Sequence, residues 1–368
     1  MNNESDLRQV LVNVRADAVE KFNRAILLIQ ENNLLEAEKY LRAAIEIDPD
    51  VADYYNRLSH LLANQGKTEE ALRLILQALA IKPDDAHFLA HHAILLARSG
   101  DFGQAETLYR RAIALDGAHV GFHRGLIDAL NNQAKHEDAI LVARSALALH
   151  SDDSALKCQA ASLLMRSGEL SEAEELLESA TLQPSASHAA WNLYSHVLAL
   201  NKKYEKALAA IEQALALQPN DAHFIAHHGN VLRYLGRIEE AQGLIEQAIQ
   251  IQPAVAGFHI SFSELLEAKG NIDEAISAAQ RATECDPANA GYREHLDRLV
   301  LCKSRIAEEA RNFEEQAPPP VSHQDSDSKP LLNPLVISSL QPPFRPQGQG
   351  RPNGFWARIK SFFRKIGF

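Results

Sequence analysis

The sequence predicts an all-α solenoid of eight 34-residue helix-turn-helix repeats closed by a capping helix, and three observations carry that reading. Alanine stands at 37, 71, 105, 139, 173, 207, 241 and 275, and again seven residues later at 44, 78, 112, 146, 180, 214, 248 and 282. Leucine stands nine residues before each alanine of the first set, from Leu28 to Leu266. Glycine and proline punctuate the same register: Gly66, Gly100, Gly168, Gly236 and Gly270 fall inside five units, and Pro49, Pro83, Pro219, Pro253 and Pro287 close five. A fixed period of this length without an insertion is the mark of stacked supersecondary units.

Each unit reads as two antiparallel helices. Leucine anchors the first, and glycine ends it by taking a left-handed conformation at no steric cost. The paired alanines let the second helix approach its neighbours closely, and proline stops it because the ring cannot continue the hydrogen-bond ladder. One pair cannot bury its apolar face, but stacked pairs make a continuous core.

In chain order, residues 1–17 precede the array and 18–289 hold its eight units. Residues 290–313, with Leu296, Leu299, Val300 and Ile306 apolar among charges, supply the capping helix that a terminal unit needs. Residues 314–353 turn to Pro, Ser, Gln and Gly and read as a linker, unable to bury enough apolar surface to offset chain entropy. Residues 354–368, GFWARIKSFFRKIGF, read as a basic amphipathic helix. At 100° per residue Phe355, Trp356, Ile359, Phe362, Phe363 and Ile366 share an arc of about 120°, with Arg358, Lys360, Arg364 and Lys365 outside it. Basic charge beside an aromatic stripe suits docking on an anionic membrane surface or on a partner protein.

Composition bounds the function. The 368 residues are 46 % hydrophobic and 23 % charged, and no run of some 18 apolar residues is present to cross a bilayer as a helix. The opening residues lack an apolar signal region and a small-residue cleavage site, which gives the expectation of a cytoplasmic location. Cys158, Cys285 and Cys302 have no metal or disulfide spacing and read as reduced. The net charge of -11 conceals an asymmetry. No acid follows Asp327 but seven Lys and Arg do, so the body carries 30 cations against 48 acids, or -18. An acidic body argues against nucleic acid as partner.

Chemical constellations are few. His87 and His91 are spaced i, i+4, as are His223 and His227, a spacing that can hold a divalent metal, but no third ligand is fixed by spacing and the expectation is no metal. Gly348, Gly350 and Gly354 follow no strand and form no nucleotide loop. Nothing brings a nucleophile, base and stabiliser together, so the expectation is no catalysis, no cofactor and no small-molecule substrate. A longer symmetry overlies the repeat. AHFLAHH at 86–92 returns as AHFIAHH at 222–228, GFH at 121–123 returns at 257–259, and Ser59-His60 returns as Ser195-His196, all displaced by 136 residues or four units. A four-unit block has been duplicated.

The 34-residue pattern over residues 18–289 resembles the tetratricopeptide repeat, with the departure that the usual Trp of the first helix occurs only at Trp191. The resemblance implies a right-handed superhelix whose concave groove, lined by the first helix of each pair, binds a protein or peptide. It places the second, fifth, ninth, twelfth and thirteenth positions of each unit on that groove: Asn56, His60, Asn64, Arg98, Arg124, Asp128, Asn131, Asn132 and Arg166, then Asn192, His196, His223, Asn230, Arg233 and Tyr234. Arg98, Arg124 and Arg166 are suited to carboxylates or another anionic group. The Lys-and-Asn clamp of chaperone-binding relatives is absent, the fifth position never being Lys. Histidines of ordinary pKa, about 6.5, would tune groove binding between about pH 5.5 and 7.5. The expected function is a non-catalytic adaptor; the rival is an accessory or targeting subunit of an enzyme complex that modifies or secretes a polymer.

Overall fold

The computed structural model describes residues 2–184 and 186–316, with side chains from 14 to 312. The amphipathic tail, 354–368, and nearly all of the linker lie outside the described residues. Among the described residues every element is a helix and no strand occurs. The first four units comprise α1 (Asn2–Gln30), α2 (Leu34–Ile47), α3 (Ala52–Asn64), α4 (Thr68–Ile81), α5 (Ala86–Arg98), α6 (Phe102–Leu115), α7 (Val120–Asn132) and α8 (His136–Leu149). The next four comprise α9 (Ser154–Ser167), α10 (Leu170–Thr181), α11 (His188–Leu200), α12 (Tyr204–Leu217), α13 (Ala222–Tyr234), α14 (Ile238–Ile251), α15 (Ala256–Ala268) and α16 (Ile272–Cys285). Helix α17 (Ala290–Gln316) follows. The chain divides into two compact units, Met1–Val197 and Leu198–Phe368.

All sixteen register alanines are completely buried. Their methyl groups are the whole side chain, so each second helix brings its backbone close to the helices beside it. The leucine anchors are buried in seven units; Leu96 is only partly so. In the first compact unit one core gathers around Leu41, Leu58, Leu62 and Ile75 and another around Leu126, Ile127, Leu130 and Leu164. In the second, Phe258, Ile245, Leu265 and Leu266 centre smaller clusters.

The turn inside each unit is more uniform than its sequence. Gly66, Gly100, Gly168, Gly236 and Gly270 take φ of 78 to 86°, as expected, but Asn32, Ala134 and Lys202 hold the same register position at φ 59, 59 and 60°. The hydrogen bonds are shared too. Gly66 and Lys67 donate to the carbonyls of Ala63 and Leu62, and Ala134 and Lys135 donate to those of Asn131 and Leu130, the double bond of a Schellman ending. Stacking of the two helices therefore imposes the left-handed residue whether or not glycine supplies it. The second helices end in a comparable way. Residues Asp48, Lys82, Gln218, Gln252 and Asp286, each before a proline, turn extended at φ -127 to -140°. Asp116, which precedes a glycine, does so at φ -140°, so proline fits this break and does not alone cause it.

Both ends of the array depart from expectation. Helix α1 starts at Asn2, because residues 2–17 contain no Gly or Pro to stop it and the segment before the array is an extension of the first helix. In α17, Leu299 is buried and Leu296 packs against it, but Val300 and Ile306 are 45 % and 42 % exposed and do not join the cap. A terminal helix has a neighbour on one side only, and the stripe facing α16 takes the contact.

The odd-numbered helices approach one another: α3 touches α5, α5 touches α7, α7 touches α9, and α13 touches α15. They line the inner face of each compact unit, while the even-numbered helices stand outside. Ion pairs join the outer helices, as where Arg42 of α2 meets Glu70 of α4 at 2.7 Å and Arg144 of α8 meets Glu172 of α10 at 2.5 Å.

A non-glycine residue in the left-handed region costs roughly 1–2 kcal/mol, and glycine returns part of that as unfolded-state entropy. Ala134→Gly is expected to raise stability by up to about 1 kcal/mol and Gly168→Ala to lower it by about 1 kcal/mol, read as opposite shifts in thermal melts followed by far-UV circular dichroism.

Candidate protein-binding groove

The inner helices bring side chains of successive units into contact through a position that the sequence reading left out. At three junctions the sixth residue of a unit reaches the fifth or ninth residue of the unit before it. His91 Nδ1 lies 2.8 Å from Asn56 Oδ1, Gln159 Nε2 donates to Asp128 Oδ1 at 2.5 Å and to the Arg124 carbonyl at 3.1 Å, and Asn230 Nδ2 donates to Ser261 Oγ at 2.9 Å. His91 and Gln159 are 68 residues apart, two units, and that common register is the signal that could have marked them.

Between α3 and α5 the site is built of neutral polar groups. His91 is buried, and the open ring of His60 lies flat on it, centroids 3.4 Å apart and 1° from parallel. Asn64 and Arg98 are exposed at the ends of these helices. His87, one turn before His91, turns the other way: its ring meets His119 and Phe122 at 5.1 and 5.4 Å. The two histidines of the i, i+4 pair thus pack on opposite neighbours and do not converge on one ion. The recurring GFH string is structural. His123 Nε2 bonds the Gly117 carbonyl at 2.9 Å and His259 Nε2 the Pro253 carbonyl at 2.8 Å, each tying an inner helix to the turn before it.

Between α7, α9 and the start of α11 lies a depression of about 260 Å³. Ile127, Leu163 and Leu193 give it an apolar floor; Asp128, Asn131, Gln159 and Ser162 give it a polar rim, and Cys158 opens into it. Asn131 Oδ1 accepts from Arg166 at 2.9 Å and lies 3.1 Å from His136 Nδ1. Asn132 folds onto the Asp128 carbonyl at 2.8 Å. Burial pushes the Asp128 carboxyl above its usual value, with Gln159 and Arg124 pulling the other way. The three arginines do not form one cluster: Arg124 sits near the start of α7, about 12 Å along that helix from the level of Asn132, whereas Arg98 and Arg166 end α5 and α9.

In the second half Asn192 and His196 are half-buried on α11, with the Asn192 Oδ1 buried and unpartnered. His223 is exposed, its ring against Phe258 at 5.1 Å. Arg233 pairs with Glu264 at 2.6 Å and lies over the Tyr234 ring, and Tyr234 stacks on Tyr204 at 5.2 Å. Arg298 pairs with Glu267 through two hydrogen bonds of 2.5 and 2.8 Å. Glu264 and Glu267 are ninth and twelfth residues of their unit that the sequence reading omitted; here arginines already occupy their carboxylates.

Tetratricopeptide-repeat family models match residues 28–95, 92–154, 158–222 and 228–290. The chain belongs to the tetratricopeptide-repeat family. Its helix pairs are tetratricopeptide repeats, and repeats of this kind are protein-interaction scaffolds. No curated protein matches the chain. Among solved structures, the Cut9–Hcn1 hetero-tetramer of the APC/C aligns with a TM-score of 0.55 at 18 % identity, over 81 % of this chain and 60 % of that one. PilF of Pseudomonas aeruginosa aligns at 0.48 and 18 % identity, over 57 % and 95 % of the two chains. The C-terminal part of a repeat-containing protein from Cytophaga hutchinsonii aligns at 0.48 and 16 % identity, over 65 % and 98 %. The chain spans 60 % of the Cut9–Hcn1 chain, and that likeness is one of fold. No described helix is long and apolar enough to cross a membrane.

In the tetratricopeptide groove several histidines depart from the ordinary pKa. Burial, with His60, His92 and Arg98 adding to it, lowers the His91 pKa to about 3. Burial lowers that of His196 to about 4 and also pulls His60, His92 and His228 below their ordinary value. His91 and His196 therefore stay neutral from pH 7.5 to 5.5 and contribute no charge change to binding there. Stability is affected instead. At neutral pH His91 is uncharged in both states; below about 6.5 the unfolded chain takes up a proton that the folded chain refuses, so stability is lost as the pH falls from about 6.5 toward 3. His91→Gln, which cannot titrate, is expected to lose less melting temperature than the wild type between pH 7 and 4.

Proposed function

We propose that this chain is a non-catalytic, cytoplasmic adaptor that holds an acidic protein segment along the inner helices of its third to fifth repeats. The observation that carries the reading is the state of the arginines. Arg42, Arg110, Arg144, Arg233 and Arg298 are engaged by glutamates, although Arg57, Arg73 and Arg281, which are not among the predicted groove residues, make no such pair among the described residues. Among the described residues no carboxylate pairs with Arg98, Arg124 or Arg166, and all three are exposed. Arg166 is aimed by the neutral Asn131 oxygen, which positions a guanidinium without cancelling its charge. An exposed cation that makes no ion pair within its own chain is available to a partner's carboxylates, and the bidentate fork suits them.

The sequence of residues 354–368 supports a second contact, a weak and reversible anchor on an anionic membrane surface. Six large apolar side chains give about 9–18 kcal/mol gross, while ordering some 13 backbones costs about 13–26 kcal/mol. Anionic lipid adds about 1 kcal/mol for each of the basic side chains, so attachment depends on that charge.

Arg98, Arg124 and Arg166 changed together to Ala are expected to weaken partner capture by the immobilised full-length chain at least tenfold, since one charge-assisted hydrogen bond is worth about 1.5–3 kcal/mol. Stability should move by less than about 0.5 kcal/mol; undiminished capture would place the binding site elsewhere. A peptide of residues 351–368 is expected to gain helix and a blue-shifted Trp356 emission on anionic but not zwitterionic vesicles, and to lose both as salt is raised. Indifference to vesicles would leave partner docking as the role of the tail.

A further inference from the structure

The depression between α7, α9 and α11 has a buried hydrogen-bond acceptor that nothing in the chain satisfies. Gln159 spends its amide nitrogen on Asp128 Oδ1 and on the Arg124 carbonyl. That pair of bonds fixes the amide, because the opposite orientation would set its oxygen against two other oxygens. The Gln159 Oε1 is thereby held in place, buried and without a partner. Beside it Asp128 makes no ion pair among the described residues; its carboxylate accepts from the neutral Gln159 amide and feels the Arg124 charge without contact. Ser162 stands on the same rim. A buried acceptor without a donor costs about 1–3 kcal/mol, so a ligand that brings N–H groups recovers that cost on entering.

The remaining walls narrow the ligand. Ile127, Leu163 and Leu193 form a floor on which an alkyl stem can lie. Apolar floor and acceptor rim together match a long side chain that ends in a compact cluster of donors. We propose that this depression is a pocket for one lysine side chain of the bound segment, its ammonium received by Asp128, Gln159 Oε1 and Ser162 and its methylenes laid on Ile127, Leu163 and Leu193. Asn131 is excluded from the reception because Arg166 already occupies its oxygen. With Arg124 and Arg166 on either side, the segment that fits is a lysine flanked by acidic residues. The proposal rests on the groove as the partner-binding face and adds the chemistry read there.

Cys158 opens into the depression, so occupancy can be read directly on the full-length chain. Burial pushes its thiol up and slows it, and the exposed Cys285 serves as an internal reference. Alkylation by N-ethylmaleimide at about pH 8, where a lysine ammonium of pKa about 10.4 is still charged, is followed site by site by peptide mass spectrometry. The probe is Nα-acetyl-lysine N-methylamide at rising millimolar concentration. We expect alkylation of Cys158 to slow at least threefold while Cys285 is unchanged. The norleucine analogue, which has the stem but no amine, and the Asp128→Asn chain should give no protection. Equal protection by norleucine, or none by lysine on the wild-type chain, overturns the lysine pocket, and both comparisons are independent of any variant. Arginine-dependent capture that survives such a failure leaves the groove reading standing. Loss of that dependence with lysine protection intact overturns the acidic-segment reading and supports the pocket.

Discussion

The structure depends on two small residues, seven apart, on each outer helix. Every one of the sixteen alanines at these positions is without solvent exposure, and seven residues make two turns, so both fall on one line along the helix. A larger side chain there would push the outer helix away from its own inner helix and from the next one, and in an array the displacement would be felt at each junction. The close approach lets inner helices of successive units touch one another. Contact across the inner face is thus a consequence of alanine on the outer helices, and the groove inherits its geometry from residues it does not contain.

That inheritance explains why a single register rule governs the groove. When inner helices stand side by side at constant offset, the sixth residue of one comes against the fifth or ninth of the one before, as it does at three junctions. What fills those positions then decides the local chemistry: imidazole on amide at His91 and Asn56, amide on carboxylate at Gln159 and Asp128, hydroxyl on amide at Ser261 and Asn230. The charged twelfth and ninth positions behave likewise at Arg233 and Glu264. Where both members of a pair come from the chain with opposite charge, as there, the groove is closed to a charged ligand; where they are mismatched, as at Gln159, an unsatisfied atom is left for one.

The fold was legible to the residue because helix periods, small-residue spacing and turn residues are local and repeat eight times. The exceptions were instructive. Ala134 and Lys202 carry no sign of the left-handed turn they adopt, since the stacking of two helices, a non-local force, puts them there. The exposure of Val300 and Ile306 sets them apart from Leu296 and Leu299 on the same helix, a difference that composition cannot express. The groove was legible as a set of positions and not as chemistry. The i, i+4 histidines share a helix face in sequence, but their rings part because one is captured by Asn56 and His60 and the other by His119 and Phe122. Burial then moved the His91 and His196 pKa values out of the range that their identity alone suggests.

The duplicated block separates what packing requires from what it does not. Tyr55, Leu58, Leu61, Ala93 and Leu95 on the inner helices of the first half are Trp191, Tyr194, Val197, Gly229 and Val231 in the second. These exchanges are coupled. A Cβ on Gly125 would meet the Tyr109 ring at 2.3 Å, so tyrosine on that outer helix demands glycine on the next inner one. In the second half Ile245 replaces tyrosine and Ser261 replaces that glycine, but Ile245 now leans on its own inner helix, where a Cβ on Gly229 would meet it at 2.8 Å. The core has been repacked around a different large residue at the same fold. Over the same helices Asn56, Ser59, His60, His87, His91 and His92 reappear unchanged as Asn192, Ser195, His196, His223, His227 and His228. Volume exchange in a core tolerates many solutions provided that the total is kept, whereas a polar position admits few replacements once its hydrogen bonds are specified. Identity alone does not carry a contact over, since Asn56 bonds His91 while Asn192 Oδ1 is left unpartnered, and the residues proposed to meet a partner differ between the halves: Arg98, Arg124, Asp128 and Gln159 are Tyr234, Ile260, Glu264 and His295.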